Sequence, residues 1–192
     1  MAKVQDVARF FIDLAQAQAA HAMGDKTTNL RLQKLLYFAQ GRYMARYGKP
    51  LFQADMAAWE YGPVVPEVYR AYKEFGSDGI SEMEPVSMNA FTAEEYALLL
   101  DVARYYGTYA TGELVHQSHV EGGPWAQVRE RPEDGEIIPK EAIRAYFSTL
   151  PPIASFQQDT LPQYETIVPA RDENGIVVLP AEMAEDWDEV TD

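Results

Sequence analysis

The sequence predicts a mainly α protein, a compact helical bundle with a short β segment and a C-terminal β-hairpin-like extension. Two observations predict the bundle. Apolar residues recur at the spacing of buried helix faces over most of the first 150 positions, and Gly or Pro stands at the ends of these stretches. A third observation predicts the extension, because helical spacing is lost after Pro151-Pro152 and a strand–turn–strand pattern follows.

The first two helices have clear signals. From Val4 to Met23 the apolar residues form one helical stripe, and Gly24 ends it. Thr28-Asn29 offers capping oxygens to a second helix, which ends at Gly48 and Pro50. We therefore expect two helices before any irregular segment.

The short β segment is expected between Phe52 and Tyr61. This stretch is aromatic and is bounded by Pro50 and by Gly62-Pro63, which favours a brief strand over a third helix. A third, short helix is expected from Pro66 to Gly76, because proline suits the first turn of a helix.

The middle of the chain contains one strong helix start. Residues Ser77 to Ala90 are rich in turn-forming side chains and are expected to form a loop. Thr92 with Glu95 three residues later is typical of a capping box, and the helix that it opens is expected to end at Gly107.

Two further helices complete the predicted bundle. A short helix is expected around Leu114 to Ser118, ending before Gly122-Gly123-Pro124. Pro139 then opens a helix that continues to Leu150.

The change of pattern divides the chain into a domain of residues 1–150 and an extension of residues 151–192. In the extension, Thr166–Val168 and Ile176–Leu179 flank Asn174-Gly175, a pair that supplies the positive φ angles of a tight hairpin turn. The last residues are acidic and are expected to be solvated.

Composition excludes several classes of protein. Thirty acidic and sixteen basic residues give a net charge of −14, which repels phosphate and favours a basic protein partner over nucleic acid. The alternative interpretation is that this charge only keeps the protein in solution, and both interpretations stay open. The absence of cysteine excludes disulfides and thiolate chemistry. No apolar run of about 18 residues or signal-peptide pattern occurs, so we expect a cytoplasmic protein with no membrane contact.

No motif for catalysis or cofactor binding occurs. The phosphate-binding loop and the Gly-x-Ser-x-Gly elbow are absent, so we expect no enzyme activity and no cofactor. Glu113, His116 and His119 are spaced three apart and are the best candidate metal ligands. However, residues that follow one another in steps of three do not all stay on one face of a helix, and the zincin motif, two histidines with a catalytic glutamate between them, is absent. No metal site is therefore predicted.

Aromatic residues are the more informative feature. The chain has 12 tyrosines, and Tyr37, Tyr61 and Tyr69 belong to a group in the first half that suits either a protein interface or an aromatic core. The segment Trp59–Tyr69 reads Trp-Glu-Tyr-Gly-Pro-Val-Val-Pro-Glu-Val-Tyr. It is typical of either a rigid recognition turn or a structural corner, and both interpretations stay open.

Three blocks of residues resemble the Panacea domain family, a phage-associated family formerly described as a domain of unknown function. They are Thr28–Gly41, which reads TNLRLQKLLYFAQG, then Trp59–Tyr69, and then Leu114–His119 with Gly123-Pro124-Trp125. The resemblance covers roughly Val4 to Leu150. It implies an antitoxin paired with a protein toxin, and it implies no catalytic residue.

The resemblance also implies a toxin-binding surface shaped by residues of these blocks, although family motifs often mark packing instead. The candidate residues are Gln33, Lys34, Tyr37, Tyr61, Pro63, Val64, Tyr69, His119 and Trp125.

The leading functional hypothesis is the antitoxin of a type II toxin–antitoxin system, active in phage defence, that neutralises a toxin from the adjacent gene by direct binding. The first alternative is a proteolytic adapter that delivers the toxin to a AAA+ protease. A metal-dependent hydrolase using His116 and His119 is the weaker alternative.

Overall fold

The computed structural model describes most of the chain. Contacts divide the chain into two compact units, Met1–Phe156 and Gln157–Asp192. Within the described residues the first unit contains seven α-helices and one three-stranded antiparallel sheet, which confirms the predicted mainly α class. The described residues are 1–20, 27–81, 85–130, 136–155, 170–171 and 177–178.

The elements of the first unit follow one another with short connections. In chain order they are α1 (Val4–Ala20), α2 (Asn29–Tyr47), β1 (Met56–Trp59), β2 (Gly62–Val64), α3 (Pro66–Tyr72), α4 (Ala93–Tyr106), α5 (Thr111–Ser118), α6 (Pro124–Arg129), β3 (Ile137–Ile138) and α7 (Lys140–Thr149). Short 3-10 turns follow α3 at Lys73–Phe75 and precede α4 at Met88–Ala90.

Helix α2 lies at the centre of the unit and contacts α1, α3, α4, α5, α7 and β2. Its residues are buried around most of its circumference, as expected of a helix surrounded by other elements. The Thr28 hydroxyl accepts a hydrogen bond from Arg31 N at 3.2 Å, and Gly48 ends the helix in the left-handed conformation with φ 70°. Both predicted ends of this helix are confirmed.

The small sheet differs from the prediction. Strand β1 pairs with β2, with Trp59 opposite Gly62, and on its other edge with β3. The prediction that Gly62-Pro63 only bounds a strand was therefore wrong, because Gly62–Val64 is itself the second strand and the turn lies at Glu60-Tyr61. Proline is tolerated there because β2 is an edge strand.

Other helix predictions had mixed outcomes. The Thr92–Glu95 capping box is present at the start of α4, as predicted. Helix α1 is described to Ala20, and the predicted stop at Gly24 lies outside the described residues. Helix α6 was not predicted, because Gly122-Gly123-Pro124 was interpreted only as a helix end; the proline in fact occupies the first turn of a new helix.

The segment after α7 packs against the first unit. Arg42 of α2 donates a hydrogen bond from Nη1 to the carbonyl of Pro151 at 2.7 Å, and Ile153 is buried in the core. Arg104 of α4 donates to the carbonyl of Ala154 at 2.7 Å. These contacts explain why the first unit extends beyond the expected boundary at residue 150.

Little of the second unit is described. Strands β4 (Ala170–Arg171) and β5 (Val177–Val178) pair antiparallel, with Ala170 opposite Val178. Strand β5 falls within the predicted strand Ile176–Leu179, whereas β4 was not predicted. The predicted strand Thr166–Val168 and the predicted Asn174-Gly175 turn lie outside the described residues.

Among the described helices, none combines the length and the apolar character that crossing a membrane requires.

The contact between α2 and α7 generates a test of packing with a matched control. A Cβ atom at Gly41 would overlap the buried ring of Phe147, so Gly41→Ala is expected to lower the free energy of unfolding by about 1–3 kcal/mol. A Cβ atom at Gly112, in α5, meets nothing within 4 Å, so Gly112→Ala is expected to raise that free energy by up to about 1 kcal/mol. Urea denaturation measures both, and equal effects of the two variants would contradict this packing.

Candidate functional site

A groove with a volume of about 360 Å³ opens where α2, the β1–β2 hairpin and α3 meet. We call it the hairpin groove. Most of its lining comes from the first two sequence blocks that resemble the Panacea family. The lining residues are Asn29, Leu30, Gln33, Trp59, Tyr61, Val64, Tyr69, Lys73 and Gly76.

The floor of the hairpin groove is a buried hydrogen-bond network. Gln33 Nε2 donates to Asn29 Oδ1 at 3.0 Å, and Gln33 Oε1 accepts from the backbone N–H of Val65 at 2.9 Å. Asn29 Nδ2 donates to the carbonyl of Tyr69 at 3.0 Å. These bonds fasten α2 to the β2–α3 connection at Val65 and to α3 at Tyr69. They stabilise the fold because buried polar groups are favourable only when they are paired.

Lys34 supports the hairpin from behind the groove. Its side chain has no solvent exposure, and Nζ donates a hydrogen bond to the carbonyl of Pro63 at 3.0 Å. Burial lowers the pKa of Lys34 to about 7. Gly62 has φ 103°, and a Cβ there would lie 2.6 Å from Lys34 Nζ, so a residue without a side chain is required at this point.

The walls of the groove are aromatic and reach solvent. Trp59 and Tyr69 pack edge to face with ring centroids 5.0 Å apart. Tyr61 is 65% exposed, while Tyr69 and Leu30 are each 38% exposed. Clustering of exposed large apolar side chains at one concave site is typical of a binding surface.

The third sequence block holds β1 in place. Trp125 Nε1 donates to the carbonyl of Trp59 at 2.8 Å. The His119 ring packs edge to face on Trp125 at 3.8 Å between centroids, and His119 Nδ1 lies 2.6 Å from the carbonyl of Val115. Since a carbonyl only accepts, Nδ1 of His119 carries the hydrogen.

The structure separates the predicted toxin-binding residues into two groups. Four of them line the hairpin groove, and the rest lie behind or beside it. Gln33, Tyr61, Val64 and Tyr69 line it. Lys34, Tyr37 and Pro63 are buried, whereas His119 and Trp125 are half-buried.

Five lining residues were not among the predicted binding residues. Asn29, Leu30 and Trp59 stood in the quoted blocks but were not chosen, and Gly76 was interpreted only as the end of a helix. Lys73 lies in the 3-10 turn after α3, and only the fold brings it to the groove.

Tyr37 lies apart from the groove and faces α7. Its ring packs edge to face on Phe147 with centroids 5.2 Å apart, and its side chain is 1% exposed. The hydroxyl has no hydrogen-bond partner among the described residues, and burial raises its pKa. Its role in this conformation is packing, since no atom of the ring reaches the surface appreciably.

Two of the three candidate metal ligands are engaged in other contacts. Glu113 Oε2 accepts a hydrogen bond from the backbone N–H of Ala110 at 3.0 Å, which caps α5, and His119 is held against Trp125. His116 is exposed on α5. Within the described ranges, no group of three histidine or acidic side chains converges as a metal site requires.

The fold and the groove define a helical domain that presents aromatic side chains on a hydrogen-bonded framework. Residues 32–126 match the family model described as "Antitoxin SocA-like, Panacea domain", and this part of the chain belongs to that family.

A relative supports the assignment. Antitoxin SocA of Caulobacter vibrioides (strain NA1000 / CB15N) is 33% identical over 123 residues, an alignment that covers 59% of this chain and 65% of the relative. The chain therefore spans slightly less than two thirds of the length of this curated relative. No solved structure matches the chain significantly.

The buried lysine generates a prediction about pH. Burial lowers the pKa of Lys34 to about 7 in the folded chain, whereas an unfolded lysine has a pKa near ~10.4. Above pH ~7 the unfolded state therefore binds a proton that the folded state lacks, and the free energy of unfolding rises with pH. We expect the native protein to gain stability relative to Lys34→Met between pH ~7 and ~9, by at most about 1.4 kcal/mol per pH unit.

The measurement is urea denaturation at several pH values, with Lys3→Met as a control because Lys3 is exposed. The loss of the bond to Pro63 shifts the whole Lys34→Met curve, so only the slope against pH reports the titration. Parallel curves for the native protein and Lys34→Met would contradict the lowered pKa.

The unpaired hydroxyl of Tyr37 generates a second stability prediction. Tyr37→Phe removes a buried polar atom that lacks a partner among the described residues and keeps the ring packed on Phe147. We expect the free energy of unfolding to stay equal or rise by about 1 kcal/mol. A loss of more than ~1 kcal/mol on thermal or urea unfolding would show that the hydroxyl has a stabilising partner.

Proposed function

We propose that the chain is the antitoxin of a type II toxin–antitoxin system and neutralises a protein toxin by direct binding. The observation that carries this proposal is the family match over residues 32–126, together with a relative named as an antitoxin. The proposed partner is a cognate toxin encoded by the adjacent gene, and the proposed compartment is the cytoplasm. Phage defence is the proposed biological setting.

The hairpin groove supports direct binding as the mode of action. Tyrosine and tryptophan dominate the energetics of protein interfaces because they bury large areas with few rotatable bonds. Trp59, Tyr61 and Tyr69 stand together at this concave surface. The hydrogen bonds beneath them fix the surface before binding, which reduces the entropy lost on association.

The distribution of charge supports a basic partner. Residues 1–156 contain 20 acidic and 15 basic side chains, whereas residues 157–192 contain ten acidic side chains and one basic. Most of the net charge of −14 therefore belongs to the shorter unit. A field of this sign attracts a basic toxin at long range and repels nucleic acid, which is not a proposed partner.

The same charge distribution favours a second candidate, an adapter that delivers the toxin to a AAA+ protease. Residues 157–192 lie outside the family match and are acidic enough to serve as a separate recognition segment. Deleting 180–192 and following toxin half-life separates the two candidates. An unchanged half-life with intact neutralisation favours binding alone, and a prolonged half-life favours delivery.

Co-expression with the adjacent open reading frame tests the proposed function. We expect the adjacent gene alone to arrest growth, and co-expression of this chain to restore growth with a stable complex in a pull-down. Rescue without a complex and with loss of the toxin would favour the adapter. If the adjacent gene is not toxic, the proposal of a cognate toxin at that position fails.

A further inference from the structure

We infer that the hairpin groove receives an apolar side chain of the toxin with a carboxylate beside it, and that Lys73 binds the carboxylate. This inference rests on the proposed function and adds to it the chemistry of the contact. It combines the apolar walls of the groove with Lys73, the one cation among the described residues of its lining.

The walls favour an apolar occupant. Leu30, Trp59, Tyr61, Val64 and Tyr69 make up five of the groove's nine described lining residues, and Leu30, Tyr61 and Tyr69 are exposed in the isolated chain. Covering such side chains with an apolar group removes their surface from water. This burial stabilises the complex by about 25 cal/mol per Å² of apolar surface. An apolar anchor therefore stabilises the complex more than a polar one of the same size.

The floor offers few new polar contacts. The side chains of Asn29 and Gln33 already bond to each other, to the Val65 N–H and to the Tyr69 carbonyl. A polar anchor on this floor would lose its hydrogen bonds to water without full replacement, which is unfavourable. The floor and the walls of the groove therefore both favour an apolar anchor over a polar one.

Lys73 gives the groove its charge preference. It is exposed, and within the described part of the chain no carboxylate lies within ion-pair distance of its ammonium group. Among the described lining residues, the other polar side-chain groups are the amides of Asn29 and Gln33, the tyrosine hydroxyls and the Trp59 indole N–H, and none of them is charged. A carboxylate next to the anchor complements Lys73, whereas a basic residue there is repelled.

The size of the groove limits the occupant to a small element. A volume of about 360 Å³ lies near the lower end of the ~300–1,000 Å³ range of binding pockets. One large apolar side chain with its neighbouring residue fits this space. A net basic toxin can present such a pair locally, since long-range attraction depends on total charge and docking depends on the contact itself.

Variants of the full chain test the groove against the toxin from the co-expression pair. Tyr61→Ala is expected to weaken toxin binding by roughly 10-fold or more, because it removes an exposed aromatic anchor. Lys73→Glu is expected to weaken it roughly 5- to 30-fold, because attraction becomes repulsion. Titration calorimetry measures both, and circular dichroism establishes that each variant is folded.

Matched controls carry the same changes elsewhere. Tyr105→Ala removes a tyrosine that is 42% exposed and lies on α4, outside the hairpin groove. Lys3→Glu changes the net charge by the same amount as Lys73→Glu at another exposed position. We expect both controls to bind the toxin within about 2-fold of the native chain.

A peptide experiment tests, without the toxin, whether the hairpin groove prefers a carboxylate beside an apolar side chain. The probes are the capped dipeptides acetyl-Leu-Asp-amide and acetyl-Leu-Asn-amide, which differ in one charge. We expect both to shift the NMR signals of Leu30 and of the Trp59 indole, with the Asp peptide about 2- to 5-fold tighter. In Lys73→Gln this preference is expected to disappear.

The outcomes separate this inference from the proposed function. Toxin neutralisation by the native chain with no effect of Tyr61→Ala and Lys73→Glu would overturn the groove inference and leave the function standing. No rescue by the native chain would count against the function itself. Equal affinity of the two peptides, or signal shifts confined to other surfaces, would also overturn the inference, as would a dimer that Tyr61→Ala converts to a monomer.

Discussion

The hydrogen bonds that α2 sends to the β1–β2 hairpin are the interactions on which the rest of the site depends. Gln33 binds the Val65 N–H and Lys34 binds the Pro63 carbonyl, so a helix buried at the centre of the unit fixes a short hairpin at its edge. A hairpin of this length is not stable alone in water. The aromatic side chains at its tip therefore owe their positions to the polar residues beneath them.

This arrangement explains why polar residues are buried in α2 at all. A lysine in an apolar interior is unfavourable unless it is neutral or paired, and burial here lowers the pKa of Lys34. Its retention beneath Gly62 is consistent with a role in setting geometry, since an apolar side chain could fill the space but could not bind the Pro63 carbonyl. Stability and site geometry thus make opposing demands on one residue.

Local signals predicted most helices, because caps and helical spacing act within a few residues. The Thr92–Glu95 box and the ends of α2 are examples. Strand β3 was missed because two residues show no alternation, and β2 because proline and glycine resemble a turn. The hairpin groove could not be predicted as a whole, since Leu30 and Lys73 meet there only through packing of α2 against α3.

The arginine contacts of the segment after α7 have a mechanical consequence. A force applied to the C-terminal side of the first unit reaches Ala154 and then Pro151, whose carbonyls are bound by Arg104 and Arg42, before it reaches α7. Arg42 belongs to the central helix and also bonds to the hydroxyl of Tyr106, so the load spreads into α2 and α4. A pulling force would therefore act on α4 and α2 before it separates the last helix, α7, from the fold.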